Sequence, residues 1–237
     1  MSFRQGARQF FERRGAPAWT NPYVTDGLVA MWDGEWNAGG GIHDTNVGAV
    51  NLAGSAELVF PSNLANWSMG AKSFDLSLIY HTDIKGRLTI AANTFDMAQF
   101  STEICLSRGS DSTGEFGLIQ DGVSFITELN GASAAIFRAY NSGGGLTINA
   151  QSNVGSTTSP KTLAFTYDGT TARFYANGTQ SASAAMALRA AFNAGLVRIG
   201  STYLYNAGSI YSIRIYNKAL TAQNVADNAA LDQRRSA

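Results

Sequence analysis

The sequence predicts an all-β fold of two packed antiparallel sheets, with a short N-terminal arm or helix and a short C-terminal helix. Apolar residues alternate with period two in several stretches, as expected where successive side chains point to opposite faces of a strand. Asp-Gly and Asn-Gly dipeptides separate these stretches and suit tight turns. Composition agrees: 45% hydrophobic and 11% aromatic residues, 25 glycines and only 14% charged residues supply two sheets and many turns. At 237 residues the chain fits one sandwich, an architecture that runs to about 200–250 residues as a single domain.

The C-terminal third is the most explicit. Leu163, Phe165 and Tyr167 share one face of a strand, and Ala164 and Thr166 take the other. Asp168-Gly169-Thr170-Thr171 turns the chain, alternation resumes from Ala172 to Ala176, and Asn177-Gly178 turns it again. From Ser209 to Asn217 the pattern puts Tyr211, Ile213 and Ile215 on one face and Ile210, Ser212, Arg214 and Tyr216 on the other. Apolar residues on both faces predict a strand inside a sheet. Thr221 then caps a helix whose apolar stripe is Leu220, Val225, Ala229 and Leu231, ending near Asp232.

This order, with the words Phe165-Thr166-Tyr167-Asp168-Gly169, Phe174-Tyr175-Ala176-Asn177-Gly178 and Ile213 to Thr221, resembles the laminin-G-like branch of the concanavalin A-like lectin and glucanase superfamily. Gly27 to Gly34 resembles the opening strand of that family. Glu103 to Gly109 and Phe116 to Ile119 resemble the strands that follow. The resemblance implies a jelly-roll sandwich over roughly residues 26 to 232. At the third helical position the family usually carries an acid to close a capping box, and this chain has Asn224. Met31 to Gly39 with His43-Asp44 also resembles openings found in laminin-G-like proteins of bacteriophages and prophages, which implies a virion structural protein.

With 17 basic and 17 acidic residues, no whole-protein field steers the chain toward nucleic acid or an anionic membrane. The single Cys105 cannot form an internal disulfide and alternates with apolar neighbours, so it reads as a buried structural thiol. No apolar run approaches the ~18 residues of a membrane-spanning helix, and none has the form of a secretory signal. Residues 1–22 read as a basic arm and linker, and residues 23–237 as the sandwich with its helix. In the arm, Phe3, Phe10 and Phe11 fall at helical spacing while Arg4, Arg8, Arg13 and Arg14 take other positions. At about three turns such a helix is unstable alone in water. The residues therefore read either as a frayed tail or as an anchor for a partner that offers an apolar groove rimmed by acid.

Catalytic chemistry finds little support. A glycosidase of this superfamily would place carboxylates on alternate positions of one strand. Glu103, Glu115 and Glu128 each stand without such a neighbour and read as solvated surface residues. His43 and His81 are the only histidines, so neither a zinc site nor a Ser-His-Asp arrangement is indicated. The loop from Asp33 to Asn46 is rich in oxygen donors and glycine. It reads either as an ordinary loop or, as laminin-G-like domains imply, as a calcium site drawing on Asp33, Asp44 and Asn46. Sugar binding needs aromatic faces beside amides. Trp36, Asn37 and His43 in this loop, and Tyr203, Tyr205 and Asn206 in a second turn, offer them. Trp32 reads as a core residue of the first strand, and Tyr140 to Gly145 as a polar rim or turn.

The function expected from these features is a non-catalytic protein of the virion surface. Its arm attaches to other virion proteins of the capsid or tail, and its sandwich binds host-cell or mucus glycans. The alternatives are a purely structural decoration or fibre protein and a polysaccharide-cleaving enzyme. No nucleic-acid or membrane partner is expected, and a homo-oligomer is compatible with the sequence.

Overall fold

The computed structural model describes residues 22–34, 43–44, 48–49, 58–59, 67–69, 74–76, 87–90, 98–109, 115–120, 125–188, 198–200 and 208–235. In chain order the first strands are β1 (Leu28–Asp33), β2 (His43–Asp44), β3 (Gly48–Ala49), β4 (Leu58–Val59), β5 (Trp67–Met69), β6 (Phe74–Leu76) and β7 (Arg87–Ile90). They continue with β8 (Phe100–Arg108), β9 (Glu115–Gln120), β10 (Phe125–Asn130), β11 (Ala134–Tyr140) and β12 (Leu146–Asn153). The last are β13 (Lys161–Tyr167), β14 (Thr171–Ala176), β15 (Thr179–Ala185), β16 (Arg198–Gly200) and β17 (Gly208–Tyr216), followed by helix α1 (Ala222–Arg235).

Among the described residues these strands form two antiparallel sheets. Sheet A has the order β15-β14-β13-β8-β17-β6-β5, with β1 also pairing β17. Sheet B has the order β12-β11-β10-β9-β16-β7-β4-β3-β2. The expected two-sheet sandwich with a C-terminal helix is therefore the fold.

Alternation builds the core between the sheets. Phe100, Ile104, Leu106, Leu163, Phe165, Phe174, Ile213, Ile215 and Trp32 point inward from sheet A, and Phe125, Leu129, Phe137 and Ile148 from sheet B. Phe125 and Phe165 stack with ring centroids 4.3 Å apart and planes 5° apart, and Phe174 packs 4.7 Å from Phe165 and 5.1 Å from Phe137. These rings tie the two sheets together, since aromatic pairs contribute beyond their buried area. Trp32 is fully buried here, as its place in β1 suggested.

The hairpin of β13 and β14 forms as its sequence dictates. Asp168 Oδ1 accepts from the backbone N–H groups of Thr170 and Thr171 at 2.9 and 2.8 Å, and Gly169 takes φ 95°. Asn177 and Gly178 take φ 50° and 81° in the next turn, where a Cβ on Gly178 would lie 2.9 Å from Ala226 Cα of the helix. Glycine is thus required there by conformation and by space.

Two local expectations are corrected. In β17 a bulge falls between Ile210 and Ser212. It moves Ile210 into the core with Ile213 and Ile215, away from the face of Ser212, Arg214 and Tyr216. At the helix start, Asn224 does the work expected of an acid. Thr221 Oγ1 accepts from the Asn224 backbone N–H at 3.1 Å and donates to Asn224 Oδ1 at 2.8 Å, and Oδ1 also accepts the Thr221 N–H at 3.3 Å. An amide oxygen serves as well as a carboxylate in this capping box.

Helix α1 lies on the outer face of sheet A. Its Val225 joins Leu220, Ala164, Tyr175 and Tyr216 in a second, smaller apolar cluster. Ser101 Oγ pins the approach to the helix, donating to the Lys218 carbonyl at 2.9 Å and accepting from the Leu220 N–H at 2.8 Å.

Candidate functional site

Beside that apolar cluster the same face of sheet A is charged. Glu103 of β8 and Arg214 of β17 are cross-strand partners, and both side chains are fully buried. Arg214 Nε donates to Glu103 Oε2 at 2.8 Å. Its Nη1 and Nη2 donate to Asp232 Oδ1 and Oδ2 at 2.8 and 2.6 Å, a bidentate fork onto α1. Asp232 also accepts from the hydroxyls of Tyr23, Thr162 and Ser212 at 2.8, 2.9 and 3.0 Å. Asn228 Nδ2 donates to Glu103 Oε2 at 2.8 Å, and its Oδ1 accepts the Val24 backbone N–H at 3.0 Å. The Tyr23 ring lies 4.1 Å from the Arg214 guanidinium, and Tyr23 OH accepts from Arg235 Nη1 at 2.9 Å. The described start of the chain and its helical end therefore meet at one buried cluster.

Burial is the largest influence on Glu103, Asp232 and Arg214. It pushes the Glu103 carboxyl above the usual range, and the nearby Arg214 only partly opposes this. Burial also disfavours the charged Asp232, but the Arg214 guanidinium and the hydroxyl donors outweigh it and hold Asp232 below the usual carboxylate range. Glu103 Oε1 has no hydrogen-bond partner among the described residues. Three carboxylates, Glu103, Asp232 and Asp33, face two guanidinium groups, Arg214 and Arg235. A proton on Glu103 brings these five groups to electrical neutrality. The expectation that isolated carboxylates are solvated is thus corrected for Glu103, because strand alternation sets it opposite Arg214 beneath α1.

Among the described residues, an exposed polar surface lies on the other sheet. In β11 the residues Ala135, Phe137 and Ala139 face the core, so Ile136, Arg138 and Tyr140 face outward and are half-buried. In β12, Ile148 faces the core, and Asn149, Gln151 and Asn153 are exposed on the outer face. The register sets Gln151 beside Ile136, Asn149 beside Arg138 and Leu146 beside Tyr140. Leu146 is 47% exposed. Asn153 Oδ1 accepts the Gly155 N–H at 2.9 Å, while the Asn149 and Gln151 amides make no hydrogen bond within the described residues. The face combines amides, a phenol ring and a guanidinium, groups able to take hydroxyls and to pack against a sugar ring. Sequence reading missed it, although Asn149-Ala150-Gln151-Ser152-Asn153 carries the period-two polar signal.

The residues singled out from the sequence fall as follows. Asp33 is buried and gives both oxygens to Arg235, with Nη1–Oδ2 2.8 Å and Nη2–Oδ1 3.0 Å. A calcium ion there would compete with a guanidinium. His43 and Asp44 form β2 and pair with Ala49 and Gly48 of β3. Trp36, Asn37, Asn46, Tyr203, Tyr205 and Asn206 lie outside the described residues, as do Phe3, Arg4, Arg8, Phe10, Phe11, Arg13 and Arg14. The turn at Asn141 is closed by its own Oδ1, which accepts the N–H groups of Gly143 and Gly145 at 3.0 and 2.9 Å. Cys105 is buried, on the side of β8 away from the main core.

Two antiparallel sheets packed face to face with one helix on the outside define a lectin-like β-sandwich. The chain belongs to the concanavalin A-like lectin/glucanases superfamily, whose laminin-G model matches residues 83–226. No curated protein matches the sequence. Among solved structures, it is similar to the binding domain of botulinum neurotoxin DC in complex with SialylT, with TM-score 0.63 and 11% identity over 89% of this chain and 52% of that one. It is also similar to the serotype D ligand binding domain in complex with N-acetylneuraminic acid, with TM-score 0.62 and 12% identity over 87% and 51%. A third is the binding domain of Paraclostridial Mosquitocidal Protein 1, with TM-score 0.61 and 12% identity over 86% and 52%. At these identities the likeness is one of fold, and this chain spans about half the length of each structure.

The two buried carboxylates differ in what they contribute. Asp232, with its folded pKa lowered, contributes stability that is complete above its unfolded value near 3.9 and is lost as pH falls through the folded value. Glu103, with its folded pKa raised, contributes stability present below about 4.3 and lost as pH rises through the raised value. Asp232→Asn should therefore cost about 3–5 kcal/mol at neutral pH by leaving Arg214 underpaired. Glu103→Gln should cost clearly less, because the neutral amide keeps an acceptor for Arg214 and Asn228. Urea unfolding of both variants at pH 7 checks the order; an equal or reversed cost contradicts it.

Proposed function

We propose that this protein is a non-catalytic glycan-binding module and that sugar rests on the outer face of β11 and β12. The observation that carries the reading is the pair of exposed, unengaged amides of Asn149 and Gln151 beside Tyr140 and Arg138. Membership of a superfamily of lectins and glucanases supports it. Glu103, Asp232 and Asp33 are bonded to arginines beneath the helix, an arrangement suited to packing and not to glycoside cleavage. Trp36, Asn37, His43, Tyr203, Tyr205 and Asn206 are proposed as further contributors from adjoining loops. Calcium, if used, is assigned to the oxygen-rich loop through Asp44 and Asn46.

In the same reading the module stands on a virion surface, attached through the arm that carries Phe3, Arg4, Arg8, Phe10, Phe11, Arg13 and Arg14. The described chain supports a precise starting point for that arm. Tyr23 is clasped by Asp232 and Arg235, so the described chain begins next to the end of α1. Arg234 is exposed there and adds to the basic end, whereas Arg235 is held by Asp33. A structural decoration role without sugar binding is the second reading, favoured by the uncharged strand edges on the β12 flank.

On a glycan array the full chain should retain at least one bacterial or mucin glycan. Asn149→Ala combined with Gln151→Ala should weaken that binding by about tenfold or more, or ~1.4 kcal/mol, while thermal stability stays unchanged. Absence of any glycan ligand, or binding indifferent to the double substitution, contradicts this placement. Deleting residues 1–20 spares Tyr23 and should leave a folded, soluble domain that no longer joins virus particles. Normal incorporation of that deletion would reject the attachment role.

A further inference from the structure

The sandwich flank at β12 presents two strand edges together. β12 closes one end of sheet B and β15 closes one end of sheet A. The turn after β11 is fastened to the chain just past β15, where the Ser142 N–H donates to the Ala187 carbonyl at 3.0 Å.

The hydrogen-bond phase of β12 follows from one contact. The Val154 N–H donates to the Ser133 carbonyl at 2.8 Å, and bonded pairs in an antiparallel ladder recur at every second residue. Ser152, Ala150 and Ile148 therefore bond to β11. The backbone N–H and C=O groups of Asn149, Gln151 and Asn153 point out of the sheet, and all three residues are exposed. Just past β15 the Met186 N–H donates to the Thr170 carbonyl at 2.8 Å, so the backbone of Ser183 and Ala185 points outward by the same rule. Both residues are exposed.

Open edges of this kind template pairing with another strand, and proteins blunt them with lysine, proline or inward charge. Neither Leu146–Asn153 nor Thr179–Ala185 contains a charged residue or a proline. The one irregularity in β12, between Ile148 and Leu146, leaves the ladder from Ile148 to Asn153 regular.

We infer that this flank is an interface between two copies of the chain, with β12 pairing antiparallel to β12 of the second copy across a twofold axis. A lone peptide strand would cover one edge and leave the other, whose Cα atoms approach it within 8 Å, still open. A second copy carries both edges at the same separation. A twofold axis perpendicular to the sheets brings β12 to β12 and β15 to β15 at once, in the commonest symmetry of soluble oligomers. Pairing centred on Ala150 sets Asn149 opposite Gln151 of the second copy and Thr147 opposite Asn153, with no like charges facing. The alanines and serines of β15 leave room for close approach.

Sedimentation equilibrium of the full chain tests this independently of any glycan. The expected species is a dimer at twice the chain mass. Asn149→Lys with Gln151→Lys sets ammonium groups opposite one another and should weaken association by about tenfold or more. Gln151→Pro removes an outward N–H without breaking a bond to β11 and should do the same, because proline is tolerated on edge strands. Far-ultraviolet dichroism and thermal unfolding verify that each variant is folded. In the wild type, amide exchange at Asn149 and Gln151 should slow as concentration rises. A wild-type chain that stays monomeric at its highest soluble concentration overturns the inference. So does a dimer that survives in folded forms of both variants.

Discussion

The bidentate pair between Arg214 and Asp232 organises everything outside the main core. A guanidinium fully removed from water is very costly unless its donors and its charge are met. Here they are met by groups from four places in the chain: Glu103 of β8, Ser212 of β17 itself, Asp232 of α1 and the ring of Tyr23. Withdrawing Asp232 leaves the buried guanidinium underpaired. The helix is therefore fixed on the sheet by a requirement for charge satisfaction as well as by the contacts of Val225 and Leu220.

This arrangement separates two jobs. The inner faces of the sheets, with their run of phenylalanine rings, hold the sandwich shut. The outer face of sheet A holds the two ends of the described chain at one place. Among the described residues of sheet B, Asn149, Gln151 and Asn153 are exposed on the outer face, carried on a strand whose position the core dictates through Ile148. An amide-bearing face on a rigid strand is better placed to select a ligand than the same amides on a loop.

How much of this was legible in the sequence depended on the range of the interaction. The β13–β14 hairpin was readable because Asp168, Gly169, Asn177 and Gly178 fix their turns locally. Trp32 was readable because it stands among apolar neighbours in β1 and packs in the core. The phase of β17 was not, since the bulge at Tyr211 is set by pairing with β8 and has no local signature. The burial of Glu103 was hidden for a similar reason: its partners Arg214 and Asn228 lie 111 and 125 residues further on. The capping role of Asn224 was only partly legible, because the family's box carries a carboxylate there and the amide oxygen accepts the same bonds. The polar face of β12 carries only a period-two polar pattern, which any solvated strand face shares.

Native-state hydrogen exchange tests most directly whether the Arg214 cluster makes the helix part of the sandwich's cooperative unit. Amides from Val225 to Asp232 should exchange with the same opening free energy as the buried amides of β8 and β17, through global unfolding. A helix that opens several kcal/mol below those strands would contradict it, and would show that the buried charges decorate the sheet without binding the helix to it.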